Sequence, residues 1–170
     1  GRAKDTIIRG GHNIDPLITE DALASHPSVE IAAAVGKPDA YSGELPVAYV
    51  KLVEGSGVSE GELLKYAREN VSERAAAPVE IIIRSQIAVT AVGKIFKPEL
   101  LKDAISLGYM QAANNACPDI QFKVWVEEDK LAGKKVLLKI LTPVSHDKDS
   151  TLQKLEAVLN RLPYAWEMIL

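Results

Sequence analysis

The sequence lacks the cysteines, the long apolar runs and the excess of basic residues that mark several common protein classes. Cys117 is the only cysteine in 170 residues, which excludes an internal disulfide and fits a reducing cytoplasm. We expect its thiol to be buried or half-buried. The longest apolar runs, such as residues 79–83 and 136–140, are far shorter than the roughly 20 residues of a membrane helix. We therefore predict a cytoplasmic protein without a transmembrane segment.

Charge and histidine content argue against nucleic-acid binding and against a metal site. The net charge of -3 comes from 20 basic and 23 acidic residues that are mixed along the chain, so no basic stripe is available for nucleic acid. The three histidines, His12, His26 and His146, have no partners at metal-ligand spacing, so no metal site is predicted. The N-terminus has neither an initiator methionine nor a secretory signal, and we interpret Gly1 as a cut end.

Apolar periodicity and turn residues predict an α+β fold for residues 1–103, the first of two predicted domains. The predicted strands and helices are strands at 6–9, 30–35, 46–53 and 79–84, and helices at 16–26, 59–73 and about 98–115. Ser59 and Glu62 have the spacing of a capping box, which supports the start of the second helix. Residues 88–96 are predicted to be a loop, and we expect chemistry there because the loop carries Gly93 and Lys94.

The second predicted domain, residues 104–170, has a different element order. Strands at 120–127, 135–142 and 164–170 and a helix at 149–162 give the order β-β-α-β. With the preceding strand and helix, the order becomes that of a ferredoxin-like fold. Two roles stay open for this extension. It could be a packing element that steadies the helix after Lys94, or an interaction surface for a carrier protein or for a second subunit of a homo-oligomer.

Three segments of the first domain are specific in wording, order and spacing. Residues 1–14 read GRAKDTIIRGGHNI, residues 26–29 read HPSV with GKPD at 36–39 and GELP at 43–46 following, and residues 90–100 read TAVGKIFKPEL. Together they resemble the C-terminal domain of adenylate-forming enzymes, with a hinge motif in the first segment and a lysine motif in the last. The sequences of these motifs are most similar to those of bacterial fatty-acyl-CoA synthetases.

The resemblance implies a fold, a reaction and partners. The fold would be a small antiparallel or mixed sheet with flanking helices, which rotates as a lid on a larger N-terminal domain. The enzyme would be an AMP-forming acyl-CoA synthetase with ATP, CoA and a fatty acid as substrates. Mg²⁺ would be bound with ATP in the larger domain, and we expect no cofactor in this one. The chain would then be an enzyme fragment that is inactive alone; the alternative is a free-standing binding or regulatory module that retains these motifs.

The chemistry of adenylate formation suggests a role for Lys94. A carboxylate attacks the α-phosphate of ATP, and a cation stabilises the negative charge that builds on the phosphorus oxygens. An ammonium group on a long side chain beside Gly93 can reach into a neighbouring domain, and the glycine allows close approach of the backbone. The plain alternative is a solvated surface lysine next to a turn glycine.

The other site assignments are implied by the resemblance. It places the hinge at Lys4, Gly10 and Gly11 beside the channel for the pantetheine arm of CoA, and Arg2 near the ribose of the adenylate. Apart from the resemblance, these residues are ordinary exposed charges and turn glycines.

Three residues depart from the family pattern. Ala88 stands where relatives often have a proline, which puts in doubt an acetyltransferase that would regulate Lys94 through that motif. Lys97 replaces a common arginine, and Asn13 stands where some relatives direct an arginine at the phosphates of ATP. Phosphate contact from the first hairpin is therefore not expected.

Overall fold

The computed structural model describes residues 3–142 and 148–169, and within them it has an α+β fold, as predicted. The strands are β1 (Ile7–Arg9), β2 (His12–Ile14), β3 (Val29–Asp39), β4 (Gly43–Leu52), β5 (Glu80–Ile83), β6 (Phe122–Asp129), β7 (Gly133–Ile140) and β8 (Ala165–Ile169). The helices are α1 (Pro16–Ala24), α2 (Glu60–Asn70), α3 (Pro98–Ala116) and α4 (Lys148–Leu159), with short 3-10 turns at Ala3–Asp5 and Arg74–Ala76. None of these helices combines the length and the apolar character needed to cross a membrane.

The described residues form two compact units. Unit 1 contains the described residues up to 37 together with 44–101, and unit 2 contains residues 38–43 and the described residues from 102 onward. Each unit has a sheet of its own.

The sheet of unit 1 is built around β4. Its strand order is β2-β1-β4-β3, and β5 also pairs with β4, in parallel, from Val47 opposite Glu80 to Val50 opposite Ile83. One face of β4, which carries Ala48 and Val50, is buried beneath α1 and α2. Leu23, Leu63 and Ala67 of these helices belong to one core cluster with Ala48 and Val50. Burial of these side chains is the main force that holds unit 1 together.

Strand β3 extends further than the sequence analysis predicted, because it continues through Gly36 and Pro38 to Asp39. Proline cannot donate a hydrogen bond to a neighbouring strand and is therefore tolerated on sheet edges. β3 is the edge strand beside β4, so Pro38 does not interrupt it.

Two caps fix the helices of unit 1. Asp15 accepts a hydrogen bond from the Leu17 amide at 3.0 Å, with Pro16 in the first turn of α1. The predicted capping box of α2 is confirmed, since Ser59 Oγ accepts from the Glu62 amide at 3.1 Å and Glu62 Oε2 accepts from the Ser59 amide at 2.7 Å. The Ser59 amide stabilises the ionised carboxylate and lowers the pKa of Glu62.

The sheet of unit 2 has three strands in the order β6-β7-β8. β6 and β7 form an antiparallel hairpin, and β8 lies parallel to β7 after the crossover through α4. The ferredoxin-like arrangement is wrong, because β5 pairs with β4 and not with β6–β8. An element order limits the possible pairings but does not select one, and β5 buries Ile81 in the core of unit 1.

Cys117 is buried, as predicted, and burial raises the pKa of its thiol.

A tyrosine joins α3 to the start of β8 inside unit 2. The Tyr109 hydroxyl donates to the Tyr164 carbonyl at 2.7 Å and accepts from the Tyr164 amide at 2.8 Å. Tyr109 is fully buried, and burial raises the pKa of its hydroxyl well above the usual value.

We predict that Tyr109→Phe destabilises the chain. The substitution removes two hydrogen bonds of a buried hydroxyl, and we expect a loss of about 1–3 kcal/mol in the free energy of unfolding, measured by urea denaturation. Tyr41 is 91% exposed, so Tyr41→Phe is the matched control and should change little. Equal stability of the two variants would contradict the structural role of this hydroxyl.

Candidate functional site

Residues 88–96, predicted to be a loop, form a short hairpin that we call the lysine hairpin. Val89 and Ile95 pair as an antiparallel bridge, and the Phe96 amide donates to the Ala88 carbonyl at 2.8 Å. The turn is closed by the Gly93 amide, which donates to the Thr90 carbonyl at 2.9 Å. The loop prediction is confirmed, since no strand or helix of the structure lies within residues 88–96. The single bridge adds a pairing too short for a sequence pattern to show.

Gly93 is required by the conformation of this turn. Its φ of +79° lies in the left-handed region, where side chains are strained. A Cβ at Gly93 would meet no other atom within 4 Å, so the space on that side of the turn is open.

Lys94 lies at the end of this turn with an exposed side chain. Its backbone amide donates to Thr90 Oγ1 at 3.1 Å, and its carbonyl accepts from the Thr90 amide at 2.6 Å, so the main chain is held on both sides. Among residues 3–142 and 148–169, no acidic group lies within ion-pair distance of its ammonium group. A fixed backbone with an exposed cation suits recognition of an anion supplied from outside the unit.

An ion pair attaches the base of the lysine hairpin to the rest of unit 1. Lys97 Nζ lies 2.5 Å from Glu20 Oε1, and the two side chains are only 19% and 11% exposed. The same Glu20 oxygen accepts from the Ala34 amide at 3.0 Å, which links α1 to β3. The sequence analysis noted Lys97 only as a departure from a family pattern and did not select Glu20. The available signal was an acidic residue on the buried side of a short helix.

The lysine hairpin borders an open cleft of about 310 Å³. Hairpin residues Gly93 and Ile95 line one side, and Asp21 of α1 and Ile31 of β3 are among the residues on the other. The hairpin therefore lies beside the first half of β3.

Residues 7–14 form a second hairpin, which we call the glycine hairpin. β1 and β2 are joined by Gly10 and Gly11, with φ values of 56° and 81°. Two positive φ values in a two-residue turn are typical of type I′, which suits the twist of paired strands. A Cβ on either glycine would meet no atom within 4 Å, so one face of the turn is open.

The other predicted site residues have different surroundings. Lys4 is exposed in the short 3-10 turn before β1. Arg2 and His146 lie outside the described residues. His12 and Asn13 are exposed in β2, and no group of three or more potential metal ligands occurs in the part of the chain that is described.

The structure does not bring Lys94 and the glycine hairpin together. The lysine hairpin lies near Ile31, whereas the glycine hairpin is attached near Glu44 and Gly36, five residues further along β3. Five residues along a strand and two steps across the sheet separate the attachment points by on the order of 20 Å. The two hairpins therefore present separate surfaces of unit 1.

Comparisons with known proteins agree with this architecture. Residues 19–94 match the model of the AMP-binding enzyme C-terminal domain family. Residues 19–94 therefore form a domain of this family. The match includes Lys94 at its end and Glu20 and Glu44 within it.

Two similar ligases are several times longer than this chain. The chain is 44% identical over 168 residues to marinolic acid–CoA ligase of Pseudoalteromonas sp., covering 98% of this chain and 25% of that protein. It is 37% identical over 102 residues to a long-chain-fatty-acid–CoA ligase of Bacillus subtilis, covering 60% of this chain and 18% of that protein. The chain thus spans a quarter or less of the length of these relatives, and unit 2 is shared with the first of them.

Two solved acyl-CoA synthetase structures are also similar to part of this chain. A Mycobacterium tuberculosis fatty acyl CoA synthetase is similar at a TM-score of 0.53 and 33% identity, covering 58% of this chain and 19% of that one. A Brucella canis acyl-CoA synthetase is similar at a TM-score of 0.55 and 34% identity, covering 61% of this chain and 20% of that one.

We predict that Lys97→Met destabilises unit 1 by roughly 3 kcal/mol, because it leaves the largely buried Glu20 carboxylate without its counter-ion. Lys97→Arg keeps a cation beside Glu20 and should reduce the free energy of unfolding much less. The measurement is urea unfolding of the 170-residue chain. Lys51→Met is the control, since Lys51 pairs with the half-exposed Glu30 and should cost below about 1 kcal/mol. Similar losses in Lys97→Met and Lys51→Met would show that burial of the first pair has no energetic consequence.

Proposed function

We propose that residues 1–103 are the mobile C-terminal domain of an AMP-forming acyl-CoA synthetase and that residues 104–170 extend it. The observation that carries the proposal is the exposed Lys94 ammonium group, which has no acidic partner among the described residues and stands on a hairpin with an anchored base. ATP, CoA and a carboxylic acid are the proposed substrates of the whole enzyme. A fatty acid is supported by the similarity to the Bacillus subtilis ligase. The single cysteine supports a cytoplasmic location.

Lys94 acts in the first half-reaction. A carboxylate oxygen attacks the α-phosphorus of ATP, the bond to the bridging oxygen breaks, and pyrophosphate leaves. Lys94 donates hydrogen bonds to oxygens on which negative charge develops, and it does so in a cleft of the larger domain where water is excluded. Mg²⁺ bound with ATP would neutralise phosphate charge. We assign it to the larger domain, together with ATP.

The glycine hairpin acts in the second half-reaction. The sulfur of CoA attacks the acyl carbonyl carbon of the adenylate, a thioester forms, and AMP leaves. A narrow arm must reach that carbon, and side chains at the tip of the hairpin would obstruct it. The open face of Gly10 and Gly11 supports this role.

The separation of the two hairpins supports rotation between the half-reactions. With attachment points on the order of 20 Å apart, a rigid unit that turns would bring first one hairpin and then the other to the reaction site. Lys4 precedes β1 in a short 3-10 turn, a suitable position for backbone torsions that absorb the rotation.

We predict that Lys94→Ala in the intact enzyme reduces adenylate formation on the order of 100- to 1000-fold, because it removes a cation that stabilises the transition state. Transfer of the acyl group from supplied acyl-adenylate to CoA should stay near the wild-type rate. The two measurements are acid-dependent pyrophosphate release and thioester formation. Lys65→Ala, which removes an exposed lysine of α2, is the control and should affect neither. Equal damage to both half-reactions would contradict the role of Lys94.

We predict that Lys4→Pro slows thioester formation and spares adenylate formation, because proline fixes φ at the proposed pivot. Lys4→Ala removes the same side chain without restricting the backbone, so its rate of thioester formation should fall much less. Both half-reactions are measured as for Lys94. An unchanged thioester step in Lys4→Pro would show that the pivot lies elsewhere.

A further inference from the structure

A side-chain carboxylate accepts a hydrogen bond from a backbone amide of the glycine hairpin. Glu44 Oε2 accepts a hydrogen bond from the Ile8 amide at 2.9 Å. Ile8 pairs with Asn13, one step before the Arg9–His12 pair that closes the two-residue turn. In such a hairpin the closing pair exchanges its hydrogen bonds, so the amide of the next residue points away from its partner strand. The Ile8 amide therefore points from β1 toward β4, where Glu44 receives it.

Gly36 makes room for this carboxylate. A Cβ at Gly36 would lie 2.8 Å from Glu44 Oε2 and 2.9 Å from its carboxyl carbon. Gly36 has no positive φ, so its backbone conformation does not require glycine. The absence of a side chain is required instead by the carboxylate that lies over it.

The glycine hairpin is attached to the sheet through β1, which lies beside β4. Ile7 and Ile14, at its base, are buried in a core cluster. Beyond them, the Arg9 guanidinium donates to the Ala75 carbonyl at 2.9 Å, while Ile8 is 52% exposed. The Glu44 contact thus lies between the buried base and the Gly10–Gly11 turn.

We propose that Glu44 is a positioning residue for the thioester half-reaction, held in place by the space at Gly36. The proposal rests on the proposed function, because it assumes that the glycine hairpin borders the path of CoA. Glu44 does not touch the reacting atoms; it fixes the angle at which the turn leaves the sheet. Loss of the hydrogen bond should widen the range of hairpin orientations and reduce the fraction of enzyme that accepts CoA in the productive position.

Substitution of Glu44 in the intact two-domain enzyme tests the proposal. For Glu44→Ala we expect the kcat/KM for CoA, measured with supplied acyl-adenylate, to fall about 5- to 10-fold, the equivalent of one hydrogen bond. Pyrophosphate release in the absence of CoA should stay within about twofold, since Lys94 belongs to the other hairpin. Glu44→Gln keeps an oxygen acceptor of the same length and should restore most of the CoA step.

A second variant tests the role of Gly36. Gly36→Ala should displace the carboxylate and reproduce the Glu44→Ala defect. If both changes act through one contact, the double variant should be no slower than Glu44→Ala alone. Additive defects would overturn the proposed link between Gly36 and Glu44.

The remaining outcomes separate this proposal from the proposed function. An equal fall in both half-reactions for Glu44→Ala would show a general folding defect, and failure of Glu44→Gln to rescue would exclude the hydrogen bond; either result overturns the proposal. Gly11→Val serves as the reference. If Gly11→Val slows the CoA step and Glu44→Ala does not, positioning by Glu44 is wrong and the hairpin's role stands. If neither variant slows it, the role of the glycine hairpin itself is wrong.

Discussion

The Glu20 carboxylate connects three parts of unit 1, and the arrangement of Lys94 depends on it. Its Oε1 atom accepts from the Ala34 amide of β3 and pairs with Lys97 at the base of the lysine hairpin. A carboxylate with so little exposure requires a counter-ion, so the ion pair restrains where the hairpin leaves the unit. Lys94 lies three residues before Lys97, so the ion pair also restrains its backbone position. The ammonium group of Lys94 is exposed.

The two lysines of this segment therefore have opposite surroundings. Lys97 is largely buried and paired, whereas Lys94 is exposed and has no acidic partner among the described residues. A catalytic cation needs both properties at once, namely a fixed backbone and a charge that is not already neutralised. Division of the two tasks between neighbouring lysines meets this requirement.

The glycine hairpin is arranged by the same principle at another place on the sheet. The Glu44 carboxylate accepts the Ile8 amide, and the turn beyond it consists of two glycines with an open face. Each hairpin thus combines a carboxylate contact near its base with a tip that is available to another molecule. The proposed rotation between two half-reactions would use two such surfaces on one rigid unit.

The sequence by itself determined the helices, most strands and the family. Capping residues such as Ser59 and apolar periodicity are local signals that one sequence shows. The motif around Lys94 can likewise be recognised in one sequence. Only the tertiary structure decided that β5 joins β4, which excluded the ferredoxin-like arrangement. It also selected Glu20 and Glu44 from 23 acidic residues. Their partners lie far away along the chain, and contacts at such separations leave no periodic pattern, because they arise only when packed strands and helices bring the residues together.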